Sequence, residues 1–96
     1  MKQRNIDSRS VSMESFLSQE GIRQGIYDAY KCNKFKTFFN QNYAVAYERG
    51  RQIGICARLN NYQMRHLYDD YGYCRGKPTD KLISLAYQMR RKRWLV

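Results

Sequence analysis

Apolar residues recur at helical spacing in the first third of the chain. Ile22 and Ile26 are four residues apart and continue an apolar side that begins at Met13. Residues four apart lie on one face of a helix, and serine is favoured at a helix start. The pattern therefore predicts a first helix that Ser12 caps and that ends at about Lys31.

Two stripes of small residues indicate a second helix, over about 41–59, and a close contact between the two. A glycine inside a helix costs about 1 kcal/mol relative to alanine, so glycines at regular spacing need a structural reason. Backbones that nearly touch supply that reason, and we predict a close-packed helical hairpin. The alternative is a glycine face that opens to admit another protein's helix. The stripes are Gly21, Gly25 and Ala29 in the first helix and Ala46, Gly50 and Gly54 in the second.

The rest of the chain is predicted to add one or two further helices. A short one is expected over about 62–71, and Thr79 is expected to cap another, with Leu82 and Leu85 on its apolar side. Residues 32–40 lack the helical pattern and predict a loop in which Phe35, Phe38 or Phe39 closes the end of the hairpin. No β-strand pattern is evident, so the predicted class is all-α. We divide the single domain 1–96 into a flexible basic arm (1–11), the hairpin (12–59) and a C-terminal helical extension (60–96).

The charge balance indicates what the exterior binds. The chain has 18 Lys and Arg against 8 Asp and Glu, a formal net charge of +10. A charge of this size favours an acidic partner, either nucleic acid or an acidic protein surface. The alternative is a soluble protein with solvated basic faces. One set of cations is predicted to contact phosphates, although the sequence does not place its members on one face: Lys34, Lys36, Arg49, Arg51 and Arg58.

Contacts to a protein partner are predicted in the extension. Tyrosine is enriched at interfaces, and Trp and Arg are prominent among the residues that contribute most binding energy. The C-terminal basic run beside the single Trp is the strongest such feature, with a solvated helix end as the alternative. The predicted partner-binding residues are Tyr62, Tyr68, Tyr71, Tyr73, Arg75, Arg90, Arg91, Lys92, Arg93 and Trp94.

Pro78 is the only proline, and it has two interpretations. In the first, it is a proline of the kind commonly found just before a helix. In the second, it lies in a mobile, exposed loop whose X-Pro bond exchanges slowly between cis and trans. In the second case a host prolyl isomerase is expected to recognise it.

Catalytic, cofactor and metal sites have no pattern in this sequence. Cys32, Cys56, Cys74 and His66 lack the paired spacing of structural zinc ligands, and no nucleophile motif or phosphate-binding loop is evident. We therefore predict neither an enzyme nor a bound metal or cofactor. The odd number of cysteines favours a reducing compartment, and no apolar run is long enough to span a membrane. A cytoplasmic location is expected, the host cytoplasm if a phage encodes the chain.

The stretch over about 20–57 contains a Gly-x-x-x-Gly helix, a loop with an aromatic residue, and a helix with an aromatic residue three positions before a glycine. The residues of this pattern are Gly21, Gly25, Phe35, Tyr47 and Gly50. In this pattern the chain resembles the ribosome modulation factor-like proteins, short basic helical hairpins of bacteria and phages. The resemblance implies a hairpin fold and binding to the ribosome.

As a whole, the small basic chain looks similar to phage-encoded host-takeover factors, and among them to the temperate-phage anti-RecBCD proteins. That resemblance implies binding to the host RecBCD recombination nuclease, and inhibition or modification of it. The alternatives are a ribosome-associated factor that binds ribosomal RNA and a small protein that binds DNA directly.

Overall fold

The computed structural model describes residues 12–69 and 76–91. These residues form helices, which confirms the all-α class. The helices are α1 Met13–Leu17, α2 Glu20–Tyr30, α3 Gln41–Leu59, α4 Met64–Leu67 and α5 Asp80–Arg91. None of the helices in these two ranges combines the length and the apolar character that a membrane crossing requires. The predicted arm 1–11 lies outside the described residues, as do Tyr71, Tyr73, Arg75, Lys92, Arg93 and Trp94.

The first predicted helix is wrong in one respect, because it is divided into α1 and α2. Ser18 ends α1, and its hydroxyl donates to the carbonyl of Glu14 at 2.8 Å, a bond that competes with helix continuation. Gln19 is extended and precedes α2. Because the helix stops there, the carbonyl of Leu17 accepts from the buried hydroxyl of Tyr68 at 2.9 Å. In a continuous helix that carbonyl would accept from the fourth residue along the chain.

α2 and α3 are in contact along the two stripes of small residues, as predicted. A Cβ atom added at Gly25 would overlap the carbonyl oxygen of Tyr47, and one added at Gly50 would overlap that of Ile22. The close approach of the backbones therefore requires glycine at both positions. This contact closes the glycine face, so the face does not admit a helix of another protein in this structure.

The residue numbers of the positions that face each other increase together along both helices. Gly21 faces Ala46, and Ala29 faces Gly54. α2 and α3 therefore run in the same direction, and residues 31–40, which we call the return segment, lead back along the pair to the start of α3. Four-residue spacing is the same for either direction, so only the structure reveals this order.

The remaining helices close the core. α4 is shorter than the helix predicted over 62–71, because Tyr68 is extended and pairs with Pro78 in an isolated antiparallel bridge. Thr79 caps α5 as predicted, and its hydroxyl accepts from the backbone N–H of Leu82 at 3.2 Å. The buried core comprises Met13, Leu17, Ile22, Ile26, Ile53, Ala57, Leu67, Tyr68, Leu82, Leu85 and Ala86.

Candidate functional site

Asp28 is fully buried in the helix pair and is the centre of a polar cluster. Its carboxylate accepts from the hydroxyl of Tyr47 at 2.6 Å, from the side-chain amide of Gln24 at 2.9 Å and from that of Asn33 at 3.2 Å. The ammonium group of Lys36 lies 3.4 Å from the carboxylate. These partners compensate the charge, because an unpaired buried ion costs several kcal/mol.

The same contacts decide the protonation of the cluster. Burial by itself raises the pKa of Asp28, but the hydrogen bonds and the charge of Lys36 outweigh it, so the pKa of the carboxyl lies below its ordinary value. Burial and the hydrogen bond to Asp28 raise the pKa of the Tyr47 hydroxyl. Asp28 is therefore ionised and Tyr47 neutral near pH 7, as a structural hydrogen bond requires.

Lys36 and Arg51 bring positive charge to this cluster from the return segment and from α3. The backbone N–H of Lys36 donates to the Tyr47 hydroxyl oxygen at 3.3 Å. The guanidinium of Arg51 donates to the carbonyl of Asn33 at 3.1 Å and to the Tyr47 hydroxyl oxygen at 3.4 Å. These bonds attach the return segment to the middle of α3.

Phe35 lies at the surface beside the cluster. Its ring packs edge-on to Tyr47, with 5.5 Å between the ring centroids, and the guanidinium of Arg51 lies 5.4 Å from its centre. Phe35 nevertheless remains 55% exposed. α3 therefore holds an exposed aromatic ring in place next to cationic side chains.

Further cations extend this surface along the return segment. Arg58 donates to the carbonyl of Tyr30 at 2.9 Å, at the C-terminal end of α2. Lys31 and Lys34 are exposed on the segment itself. We call the whole set the return-segment surface; it comprises Lys31, Lys34, Phe35, Lys36, Arg51 and Arg58.

Four of the five residues predicted to contact phosphates belong to this surface, and Arg49 does not. Successive helix residues differ in direction by about 100°, so Arg49 and Arg51 point to nearly opposite sides of α3. Because Arg51 contacts the return segment, Arg49 lies away from it.

Phe38 lies near the N-terminal end of the helix pair. Its ring contacts the rings of Tyr43 and Tyr47, at centroid distances of 4.7 and 4.9 Å. Phe39 is fully exposed and borders an open groove at the same end. Of the three phenylalanines predicted to close the end of the hairpin, Phe38 packs against both tyrosines and Phe39 is exposed.

Tyr68 is not available to a partner, so its prediction as a binding residue is wrong. It is fully buried, and its hydroxyl donates to the carbonyl of Leu17. The hydrogen bond of its hydroxyl is therefore satisfied inside the protein. Tyr62 is half-buried, with its ring edge-on to that of His66 at 6.1 Å between centroids.

Arg90 and Arg91 end α5 and are exposed. The guanidinium of Arg90 lies 5.2 Å from the centre of the Tyr87 ring. Contacts of these two arginines with a partner stay predictions. The other predicted partner contacts of the C-terminal run lie outside the described residues.

Pro78 is buried, and the residues around it are paired with the chain after α4. The backbone N–H of Asp69 donates to the carbonyl of Lys77 at 3.0 Å, and the N–H of Lys77 donates to the Asp69 carboxylate at 3.0 Å. Pro78 therefore does not lie in the mobile, exposed loop that one interpretation of the sequence predicted. Recognition by a host prolyl isomerase stays a prediction, and it would require this pairing to open.

The sequence interpretation missed Asp28, although a signal was present. Asp28 lies seven residues after Gly21 and three after Gly25, spacings that place it on the same side of the helix as the first stripe. It therefore lies towards the partner helix, where a buried carboxylate needs hydrogen-bond partners. Tyr47 and Asn33 could not be assigned to it, because their approach depends on the course of the return segment.

Comparison of the chain with protein-family models, with curated proteins and with solved structures gave no match.

Proposed function

We propose that this chain is a non-enzymatic, phage-type modulator that binds a host nucleic-acid-processing complex, the RecBCD recombination nuclease. The observation that carries the proposal is the contrast between interior and exterior. The buried pair Asp28 and Tyr47 is engaged in structural bonds, whereas cationic and aromatic side chains are exposed around it. The chemistry at the surface is suited to binding an acidic partner.

The identity of the complex follows from the resemblance of the whole chain to anti-RecBCD proteins. A protein surface offers carboxylates that match the guanidinium fork of arginine. Among the described residues, Arg90 and Arg91 at the end of α5 are suited to this contact, because they are exposed. Tyr62 supplies a half-exposed aromatic group in the same C-terminal part of the chain.

A nucleic-acid-binding function, on ribosomal RNA or on DNA, is the second candidate. The observation that favours it is the return-segment surface, where Lys34, Arg51 and Arg58 lie with other cations around one exposed ring. Phosphate groups accept hydrogen bonds from such side chains independently of base sequence.

Affinity capture from a bacterial lysate, with and without nuclease treatment, tests both candidates. Retention of the RecB, RecC and RecD subunits after nuclease treatment is the expected result. Recovery of ribosomal subunits would support the ribosome-associated function instead. Loss of every partner after nuclease treatment would leave direct binding to nucleic acid.

Matched variants show whether the end of α5 makes the contact. Reversing both charges, Arg90→Glu with Arg91→Glu, is expected to reduce capture of the complex. Lys81→Glu, at an exposed position in the first turn of α5, is the control and is expected to leave capture unchanged. The nuclease activity of purified RecBCD is then measured with each protein added, and activity unaffected by the unmodified chain would contradict the proposal.

A further inference from the structure

We propose that the return-segment surface binds single-stranded nucleic acid, with Phe35 stacking on a base and the surrounding cations contacting the backbone phosphates. This contact goes beyond the proposed protein partner and uses a different part of the chain from the end of α5. Its failure would therefore leave the RecBCD proposal standing.

The first step is the chemistry of the surface. Proteins that bind single strands without sequence preference combine a positively charged track with aromatic rings on which bases stack. Both parts are present here, because Phe35 is more than half exposed and the guanidinium of Arg51 lies 5.4 Å from its ring centre. An arginine at a ring adds a cation–π contribution to such a platform.

The second step is the fixed geometry of the surface. The N–H of Lys36 and the carbonyl of Asn33 are both hydrogen-bonded to side chains of α3. Phe35 lies between these two attachment points in the sequence. A ring that is held in place loses less conformational entropy on binding than one on an unattached loop.

The third step is the net charge that a ligand meets. Asp28 is buried and paired with Lys36, so these two opposite charges cancel and the pair adds no net charge to the surface. Glu48 is exposed and lies one helical turn before Arg51 on α3. The four other cations of the surface outnumber Glu48, and the surface therefore remains attractive to phosphates.

The exposed ring favours a single strand over the other acidic ligands. Cations alone bind duplex DNA and acidic peptides as well. Stacking on Phe35 requires an unpaired base, which a duplex keeps inside its stack and an acidic peptide lacks.

Fluorescence anisotropy with a labelled oligothymidine of about 15 nucleotides, a length near the usual site sizes, tests the proposal on the full-length protein. Phe35→Leu is expected to weaken binding by roughly tenfold, the size expected for loss of one stacked base. Tyr87→Leu is the matched control, because Tyr87 forms a similar pair with Arg90 on α5. It is expected to leave the affinity nearly unchanged.

Lys34→Gln is a second test of the same surface, and it remains informative if loss of the Phe35 ring disturbs the fold. Lys34 is exposed, and its removal is expected to lower the slope of log affinity against log salt by roughly one phosphate contact. Glu48→Gln is expected to strengthen binding. Lys81→Gln on α5 is the charge control for both.

Competition distinguishes the ligand classes. Unlabelled single-stranded DNA and RNA are expected to compete well, and whichever competes better identifies the preferred sugar. Equal competition by duplex DNA or by polyglutamate would overturn the proposal in favour of a general acidic ligand. An affinity that is indifferent to Phe35→Leu and to Lys34→Gln would overturn it as well.

Discussion

Tyr47 donates its hydroxyl hydrogen to Oδ2 of Asp28 at 2.6 Å, and both side chains are fully buried between α2 and α3. The same hydroxyl oxygen accepts from the backbone N–H of Lys36. One phenol group therefore connects α2, α3 and the return segment. Because the connection is buried and one partner is charged, it is worth more than an exposed hydrogen bond.

Tyr47→Phe removes this hydroxyl while keeping the ring that Phe35 and Phe38 contact. We expect a loss of about 1.5–3 kcal/mol in the free energy of unfolding, the range for hydrogen bonds to charged groups. Urea denaturation measures the loss, and Tyr87→Phe at an exposed position is the control. Amide hydrogen exchange at Lys36 is expected to become faster in Tyr47→Phe, and an unchanged rate would contradict the connection.

The lowered pKa of Asp28 predicts a loss of stability in acid. The folded protein binds this proton less readily than the unfolded chain, so protonation favours unfolding. The contribution is fully present above the ordinary value of 3.8 and is lost as the pH falls through the lower folded value. Asp28→Asn is expected to be less stable near neutral pH and to show a shallower decline in acid.

Unfolding free energies measured between neutral pH and acid check this prediction. Asp80→Asn is a control for a carboxylate in the first turn of α5. If the free energy of unfolding fell equally steeply with decreasing pH in Asp28→Asn and in the unmodified protein, Asp28 would not be the group that causes the loss of stability in acid.

Three glycines of the helix pair, Gly21, Gly25 and Gly54, are expected to differ in their tolerance of a methyl group. At Gly25 the added Cβ would overlap a backbone carbonyl, and we expect Gly25→Ala to cost about 3 kcal/mol or more. At Gly54 the nearest backbone atom is 2.6 Å away, the carbonyl oxygen of Ile26, which predicts a smaller loss. At Gly21 the nearest atom is the Ala46 methyl at 2.9 Å. The Ala46 methyl is fixed to its backbone and must shift to make room, so we expect Gly21→Ala to cost stability too, but less than Gly25→Ala.

Thermal unfolding of the three alanine variants tests this order, with Gly21→Ala as the internal control. Equal melting temperatures for Gly21→Ala and Gly25→Ala would contradict the close approach at the middle of the pair.

Local signals in the sequence predicted the helices well. The small-residue stripes identified both members of the pair, and Thr79 identified the start of α5, because spacing and capping involve residues a few positions apart. The direction of the pair was not accessible, since the stripe spacing is the same in both directions. The return-segment surface depends on that direction, because only a returning segment brings Lys36 to Tyr47.

Tyr68 is a second example of a contact that local sequence signals could not predict. Its hydroxyl finds the carbonyl of Leu17, 51 residues earlier in the chain. That carbonyl lies where the first helix ends at Ser18, so it has no helical partner four residues on. From the sequence, Tyr68 was predicted to contact a partner, whereas its full burial and this one distant hydrogen bond place it in the core.

Thr79 joins α5 to the chain around α4 through its side chain and its backbone. Its hydroxyl accepts from the N–H of Leu82 and donates to the carbonyl of His66, and its own N–H donates to the carbonyl of Leu67 at 3.0 Å. Thr79→Ala is expected to cost about 1–2 kcal/mol of unfolding free energy, as for loss of a helix cap. The backbone bond remains in this variant.

Thr79→Ser retains the hydroxyl and is the matched control, so it is expected to keep most of the stability. Urea denaturation gives the free energies, and amide exchange at Leu82 reports the cap directly, with faster exchange expected only in Thr79→Ala. If both variants lost the same stability, the missing methyl group would account for the loss and the hydroxyl would not. Faster exchange confined to Thr79→Ala would instead show that a single side-chain oxygen fixes the start of α5.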